Sequence, residues 1–159
     1  MNPWKKFVFG FSSTRLGAAV MKVSSVHLDP ILFKMSGGRF TTIGPPVIPQ
    51  VLITTTGRKS GRQREAQLVY TDIDGVVHIV ASNFGGERHP AWSHNLDANP
   101  EASMQLKSEP IPVRAERLND ADKAQVWDRL VDNIPNYAVY KERTDRDIRV
   151  YRLVPTADA

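Results

Sequence analysis

Residues 47–81 read VIPQVLITTTGRKSGRQREAQLVYTDIDGVVHIVA, and their texture decides the fold. Val47 to Thr56 is rich in β-branched residues, with Val51, Leu52 and Ile53 ahead of Thr54, Thr55 and Thr56, which suits a pleated, half-buried strand. A loop at Gly57 to Arg62 separates it from a second run, Ala66 to Thr71, and Asp74-Gly75 is a hairpin signal leading into Val76 to Ala81. Downstream, Ala102 to Lys107 and Ile111 to Arg117 alternate as another hairpin, interrupted at Pro110, and Asp147 to Val154 reads as a closing strand. The count is about six antiparallel strands. Short hairpin-linked strands with a few interspersed helices predict a mainly β, α+β fold, a small barrel or curled sheet rather than a doubly wound parallel one.

Pro90 to Ala98 reads as a short helix, since proline is welcome in a first turn and Asn99-Pro100 ends it. Asn119 or Asp120 can cap a helix whose Trp127, Leu130, Val131 and Ile134 keep an apolar stripe. Pro135 ends or kinks that helix, and Tyr137 and Tyr140 continue on a second short turn. Near the start, Trp4, Phe7, Val8 and Phe11 fall at helical spacing beside Lys5 and Lys6. Such a helix either packs on its own domain or lies in a membrane interface. Gly37-Gly38 and Gly44-Pro45-Pro46 punctuate the chain, so the expected division is an N-terminal helical arm over 1–44 and a β-barrel domain over 45–159.

With 159 residues, 41% of them apolar, one packed core is expected. The absence of cysteine excludes disulfides, thiolate metal sites and thiol redox chemistry, so any redox work must come from a bound cofactor. Arg15, Lys22 and Asp29 interrupt the N-terminal apolar stretch before it could span a membrane, and no small-residue cleavage site follows Lys5 and Lys6. A cytoplasmic protein is expected. The net charge of +4 and pI near 9.5 would attract a polyanion, an anionic lipid surface or a negatively charged ligand, or merely aid solubility.

The densest chemical signal is Thr54 to Arg64, with two glycines and four cations in eleven positions. Glycines let the backbone turn and present N–H groups, while Lys and Arg give charge-assisted hydrogen bonds to phosphate or carboxylate oxygens. The stretch is an anion cradle or a solvated polar hairpin turn; it is not a Walker A loop, because Arg58 stands where that motif needs contiguity. A second signal runs from Val80-Ala81-Ser82-Asn83-Phe84-Gly85-Gly86 into His89-Pro90-Ala91-Trp92-Ser93-His94-Asn95, a strand end opening into a helix N-terminus, where unpaired N–H groups receive anions. Trp92 can serve as core packing, as pocket wall, or as both. His89 and His94 lack a third ligand at recognisable spacing, so no metal is expected. Serine-hydrolase and zinc-protease signatures are missing.

Together these segments resemble the signature of the deazaflavin-dependent nitroreductase family, the F420H2-dependent reductases of the split β-barrel superfamily. The resemblance runs from Val51 through Thr54-Thr55-Thr56-Gly57-Arg58-Lys59-Ser60-Gly61, Arg64, Val80-Ala81-Ser82, Gly85, His89-Pro90-Ala91-Trp92, His94-Asn95-Leu96 and Ala98-Asn99-Pro100 to Tyr137, Tyr140, Thr144-Asp145-Arg146 and the last strand. It implies an FMN-binding-like split β-barrel, often dimeric, with coenzyme F420 in a groove and its phosphate and oligoglutamate tail against the basic loop. On that resemblance Arg58, Lys59, Ser60 and Arg64 contact the tail, and Thr56, Gly57 and Gly61 shape the loop. Ser82, Asn83, Phe84 and Gly85 approach the deazaflavin ring, with Pro90, Trp92 and Asn95 close by, and Ala66, Val80 and Ala81 complete the cofactor-binding set. Ser82, Tyr137 and Tyr140 line the acceptor side as catalytic residues that orient the substrate and donate a proton.

The implied reaction passes a hydride from reduced F420 (F420H2) to an electron-poor acceptor, leaving the protein to orient that acceptor and stabilise the developing charge. A phenol with an ordinary pKa of about 10 is neutral at pH 7 and can donate to a quinone, nitro or enone oxygen, although Tyr137 and Tyr140 also suit an aromatic lid. Gln67 stands where many relatives have proline, Ser93 where they have tyrosine, and Ile134 near an aromatic position of some nitroreductases. These departures favour quinones, including menaquinone, over nitroimidazoles. The expected partners are a small-molecule acceptor, a second copy as a homodimer, and a membrane touched peripherally by the N-terminal helix. The competing readings are a non-catalytic F420 carrier and an FMN-dependent reductase on the same fold. Nucleic acid ranks lowest, since the basic loop has no interleaved aromatics for base stacking.

Overall fold

The computed structural model describes residues 3–42, 48–107 and 109–156; Gly44-Pro45-Pro46, read above as a linker, and Val47, read as the start of a strand, lie outside them. Three helices come first, α1 (Pro3–Ser12), α2 (Arg15–His27) and α3 (Asp29–Ser36). They are followed by β1 (Gln50–Thr56), β2 (Gln63–Val69), β3 (Thr71–Ile73), β4 (Val76–Val80), α4 (Ala91–Ala98), β5 (Glu101–Gln105), β6 (Pro110–Arg117), α5 (Asp120–Asn133), α6 (Asn136–Glu142) and β7 (Val150–Pro155). All strands join one antiparallel sheet in the order β2-β1-β5-β6-β7-β4-β3.

The described sheet has seven strands where about six were expected, because the chain changes partner at Tyr70. Gln63–Val69 pairs along β1, whereas Thr71–Ile73 folds onto β4 across a turn with Asp74 at φ +55 and Gly75 at φ +82. Two consecutive left-handed residues are what a tight hairpin matching the sheet's twist requires. The last strand begins at Val150 rather than at Asp147, whose carboxylate is drawn instead to Lys123 and, at 3.3 Å, to Arg117.

Alternation sends Val51 and Ile53 of β1, Ala66 of β2, Val77 and Ile79 of β4, Met104 of β5, Val113 and Ala115 of β6, and Tyr151 and Leu153 of β7 into one cluster with Trp92 and Leu96 of α4. β2 and β4 lie near opposite ends of the sheet yet share this core, so the sheet curls around α4. A second cluster unites Phe9 of α1, Leu130 of α5, Tyr137 and Tyr140 of α6 with Val80 and Val150. Leu130 and Ile134 keep the expected inward stripe, and the Asn119 side chain accepts the Asp122 N–H at 2.8 Å, a cap worth about 1 kcal/mol.

The arm departs from expectation in two ways. It holds three helices rather than one, and α1 buries Val8, Phe9 and Ser12 while leaving Trp4 and Phe7 40% and 59% exposed. The last carbonyls of a helix have no partner within it and need donors from elsewhere. Asn136 Nδ2 donates to Phe9 O (3.0 Å) and Ser12 Oγ (2.7 Å), Tyr140 Oη donates to Ser12 O (3.3 Å), and Arg143 donates to Ser13 O. These contacts, not the aromatic stripe, set the face α1 turns inward. Among the described residues no single helix is long and apolar enough to cross a membrane.

Candidate functional site

Pairing of Thr56 with Gln63 leaves Gly57 to Arg62 as the β1–β2 connection. The loop folds back on itself: Gly57 N–H donates to Arg62 O (2.8 Å), Gly61 N–H to Gly57 O (2.7 Å), and Gly61 sits at φ +65. A Cβ on Gly57 would lie 2.7 Å from Ser60 Oγ and 3.1 Å from Arg62 O, so the loop closes tightly over this glycine. Asn95 braces it from α4, accepting the Arg58 N–H at Oδ1 (3.1 Å) and donating through Nδ2 to Thr55 Oγ1 (3.0 Å). Arg58, Lys59, Arg62 and Arg64 are exposed, and among the described residues none has a carboxylate within ion-pairing distance. A braced backbone with four uncompensated cations is a donor set that fits a phosphorylated, carboxylate-bearing tail.

Between β4 and α4 the backbone is strained. Asn83 (φ +47), Phe84 (φ +56) and Gly85 (φ +75) are all left-handed, which glycine adopts freely but which costs a residue such as phenylalanine about 1–2 kcal/mol. Arg146, just ahead of β7, holds this turn. It donates through Nε to Gly86 O (2.9 Å), through Nη1 to Ala81 O (3.0 Å) and through Nη2 to Ser82 O (2.6 Å), with Nη1 also 3.1 Å from His89 Nδ1. Asn83 Nδ2 adds a bond to Arg88 O (2.7 Å), and the Phe84 ring stands edge-on to Tyr140 at 5.7 Å.

Burial, then Arg149 and Arg146, pushes His89 down to about 4, and burial is likewise the main cause lowering His78 and His94. A neutral His89 accepts from Arg146 at Nδ1. An unfolded histidine protonates below about 6.5 whereas folded His89 does so only near 4, so at this site the unfolded chain binds more protons between about 6.5 and 4 and stability rises with pH across that window, with His78 and His94 acting in the same direction. The urea midpoint is therefore expected to fall as the pH is lowered from about 7 to about 5. His89→Gln should flatten part of that decline; a flat wild-type profile would contradict it.

Of the residues singled out by sequence, Arg58, Lys59, Ser60, Gly61 and Arg64 are exposed, and Thr56, Asn83, Phe84 and Pro90 are half-buried, on the loop, the turn and the entry to α4. Ser82 is at the edge of burial, while Gly57 is buried under its own loop and Gly85 against Tyr140 and Arg143. Ala66, Val80, Ala81 and Trp92 are buried, and Trp92 meets Tyr151 edge-on at 5.7 Å inside the core. Asn95 is spent on the loop. Tyr137 and Tyr140 are 3% and 4% exposed beneath α1, and burial raises the Tyr137 phenol well above its usual range.

Two features escaped the sequence reading. One is the grip of Arg146. The other is a partly buried network in which Tyr151 Oη donates to Asp97 Oδ1 (2.7 Å) and meets Ser93 Oγ (2.8 Å), while Arg149 reaches Ser93 Oγ (3.1 Å) and Asp97 (3.0 Å). Burial pushes the Tyr151 phenol up to about 12, so it stays a donor and ties α4 to β7. The only trace in the sequence is the run of charges Arg146, Asp147 and Arg149 ahead of a strand.

Residues 32–155 match the family model described as F420H(2)-dependent quinone reductase. An F420H(2)-dependent quinone reductase of Mycobacterium tuberculosis is 33% identical over 134 residues, which cover 82% of this chain and 90% of that protein. Among solved structures, an F420-H2 dependent reductase, FDR-A, superposes with a TM-score of 0.60 at 38% identity, covering 66% of this chain and 93% of that one. A structure described as a domain-swapped dimer gives 0.62 at 35% identity, covering 78% and 95%. The curled antiparallel sheet is thus the split β-barrel of these reductases, and the chain belongs to the F420H(2)-dependent quinone reductase family.

Proposed function

We propose that this protein is an F420H2-dependent oxidoreductase that reduces quinones, with the coenzyme's anionic tail on the Gly57–Arg64 loop and its ring beside the Ser82–Gly85 turn. The observation that carries this reading is the set of four exposed cations without carboxylate partners among the described residues, on a loop braced to α4 by Asn95. Bound F420H2 supplies the hydride; the chain supplies position and charge. Lys59, Arg58, Arg64 and Ser60 hold the tail, and Ser82 offers a hydroxyl beside the ring. Tyr137 and Tyr140 line the acceptor side; since α1 covers them, α1 must shift for an acceptor to meet either phenol. Half-buried Phe84, standing edge-on to Tyr140, offers an aromatic face to a planar quinone.

The arm gives this reading a place to meet lipid-soluble quinones. Over residues 3–42 six cations, Lys5, Lys6, Arg15, Lys22, Lys34 and Arg39, stand against one acid, Asp29. Leu16, Val23, Ile31 and Met35 lie exposed among them, the composition of a helix pair resting on anionic lipid. The arm over 1–44 and the barrel over 45–159 are on this view separate units of function. The domain-swapped relative supports a homodimer.

The test is to titrate the protein with F420 and, separately, with FMN, and then to supply F420H2 with menaquinone in phosphatidylglycerol or phosphatidylcholine vesicles. F420 is expected to bind, FMN not, with one F420H2 consumed per quinone reduced and co-sedimentation with the anionic vesicles alone. FMN binding without F420 binding, or no turnover across quinones, nitroaromatics and enones, would overturn the enzymatic reading. Absence from the anionic pellet would remove only the membrane contact.

A further inference from the structure

Among the described residues, Arg146 is the one side chain that hydrogen-bonds to both ends of the left-handed turn. Its fork takes the carbonyls of Ala81 and Ser82 on the strand side and of Gly86 on the helix side, with His89 Nδ1 as a fourth contact. Five donors in a rigid plane allow this, and a lysine ammonium on a flexible stem cannot reproduce it. The turn's own backbone contributes Gly85 N–H to Ser82 O (2.9 Å) and Gly86 N–H to Asn83 O (3.0 Å), which shape it without tying it to the barrel. Three consecutive left-handed residues, one of them Phe84, persist only where the surroundings over-determine them.

We propose that Arg146 is the positioning residue of the coenzyme site, fixing the Ser82–Gly86 backbone in its left-handed form so that the turn is already shaped when the deazaflavin arrives. This rests on the reading that the turn meets the coenzyme ring. Arg146 touches no reacting atom; it acts through the carbonyls it holds.

Arg146→Lys and Arg146→Gln separate these ideas. Amide hydrogen exchange on the coenzyme-free variants is expected to speed up at residues 82–86 by at least about tenfold, with core strands such as Ile79 and Val113 unchanged. The Kd for F420, measured per folded site, should rise about 10- to 100-fold, and kcat at saturating F420H2 should fall with the quinone KM unchanged. A merely structural role would instead lower the folded fraction and leave Kd and kcat per folded site alone. Where the glutamine variant does not fold, the lysine variant decides. Unchanged exchange at 82–86, or unaltered F420 affinity in a folded variant, would overturn the proposal. A wild type that never binds F420 would sink the functional reading instead, while the exchange experiment would still judge the clamp.

Discussion

Neutralising the basic loop, as Lys59→Gln with Arg64→Gln, is expected to weaken F420 binding about 100-fold while leaving the unfolding midpoint where it was. Hydrogen bonds to a charged partner contribute about 1.5–3 kcal/mol each, and exposed side chains fall at the low end, so two of them give about 3 kcal/mol, or roughly two decades in Kd. The fold should not register the change, because both side chains are exposed and neither forms an ion pair among the described residues. Fluorescence titration at two salt concentrations checks this twice. Wild-type affinity should weaken as salt screens the loop, and the double variant's salt dependence should be shallower. Undiminished affinity in the double variant would mean that the anionic tail lies elsewhere.

That loop was legible in the sequence because its signal is local: glycines and cations in one short run, followed by strand residues. The helix over Asp120–Asn133 was legible for the same reason, its cap and its Leu130–Ile134 stripe being written within one element. What could not be read was set by partners far along the chain. The start of β2 is Gln63-Arg64-Glu65, a polar edge whose strand identity comes from pairing with Thr54 to Thr56. The inward face of α1 is chosen by Asn136 and Tyr140, more than a hundred residues away, which satisfy backbone carbonyls that no apolar pattern marks. Arg146 is of the same kind: a guanidinium that bonds to main-chain oxygens leaves no complementary residue type to find.

The same distinction separates two glycines that the sequence cannot tell apart. Gly61 and Gly85 both sit at positive φ, +65 and +75, yet a Cβ at Gly61 would meet nothing within 4 Å. At Gly85 it would lie 2.9 Å from Arg143 Cβ, 3.0 Å from Arg143 Cδ and 3.0 Å from Tyr140 O. Gly61→Ala therefore carries only the left-handed penalty of about 1–2 kcal/mol, in a loop that can relax. Gly85→Ala adds an overlap with the backbone of α6, where overpacking costs about 1–3 kcal/mol more, for a total of about 2–5 kcal/mol. For a chain of this size that lowers the melting temperature by roughly 4–20 °C. The effect should also be directional, because separating the turn from α6 to relieve the overlap loosens the contact between Phe84 and Tyr140. Calorimetry should rank Gly85→Ala well below Gly61→Ala in stability. At a temperature where both remain folded, only the Gly85 variant should lose quinone reduction per folded site. Equal melting temperatures for the two would mean that α6 does not press on the turn, and that the aromatic face of Phe84 is held some other way.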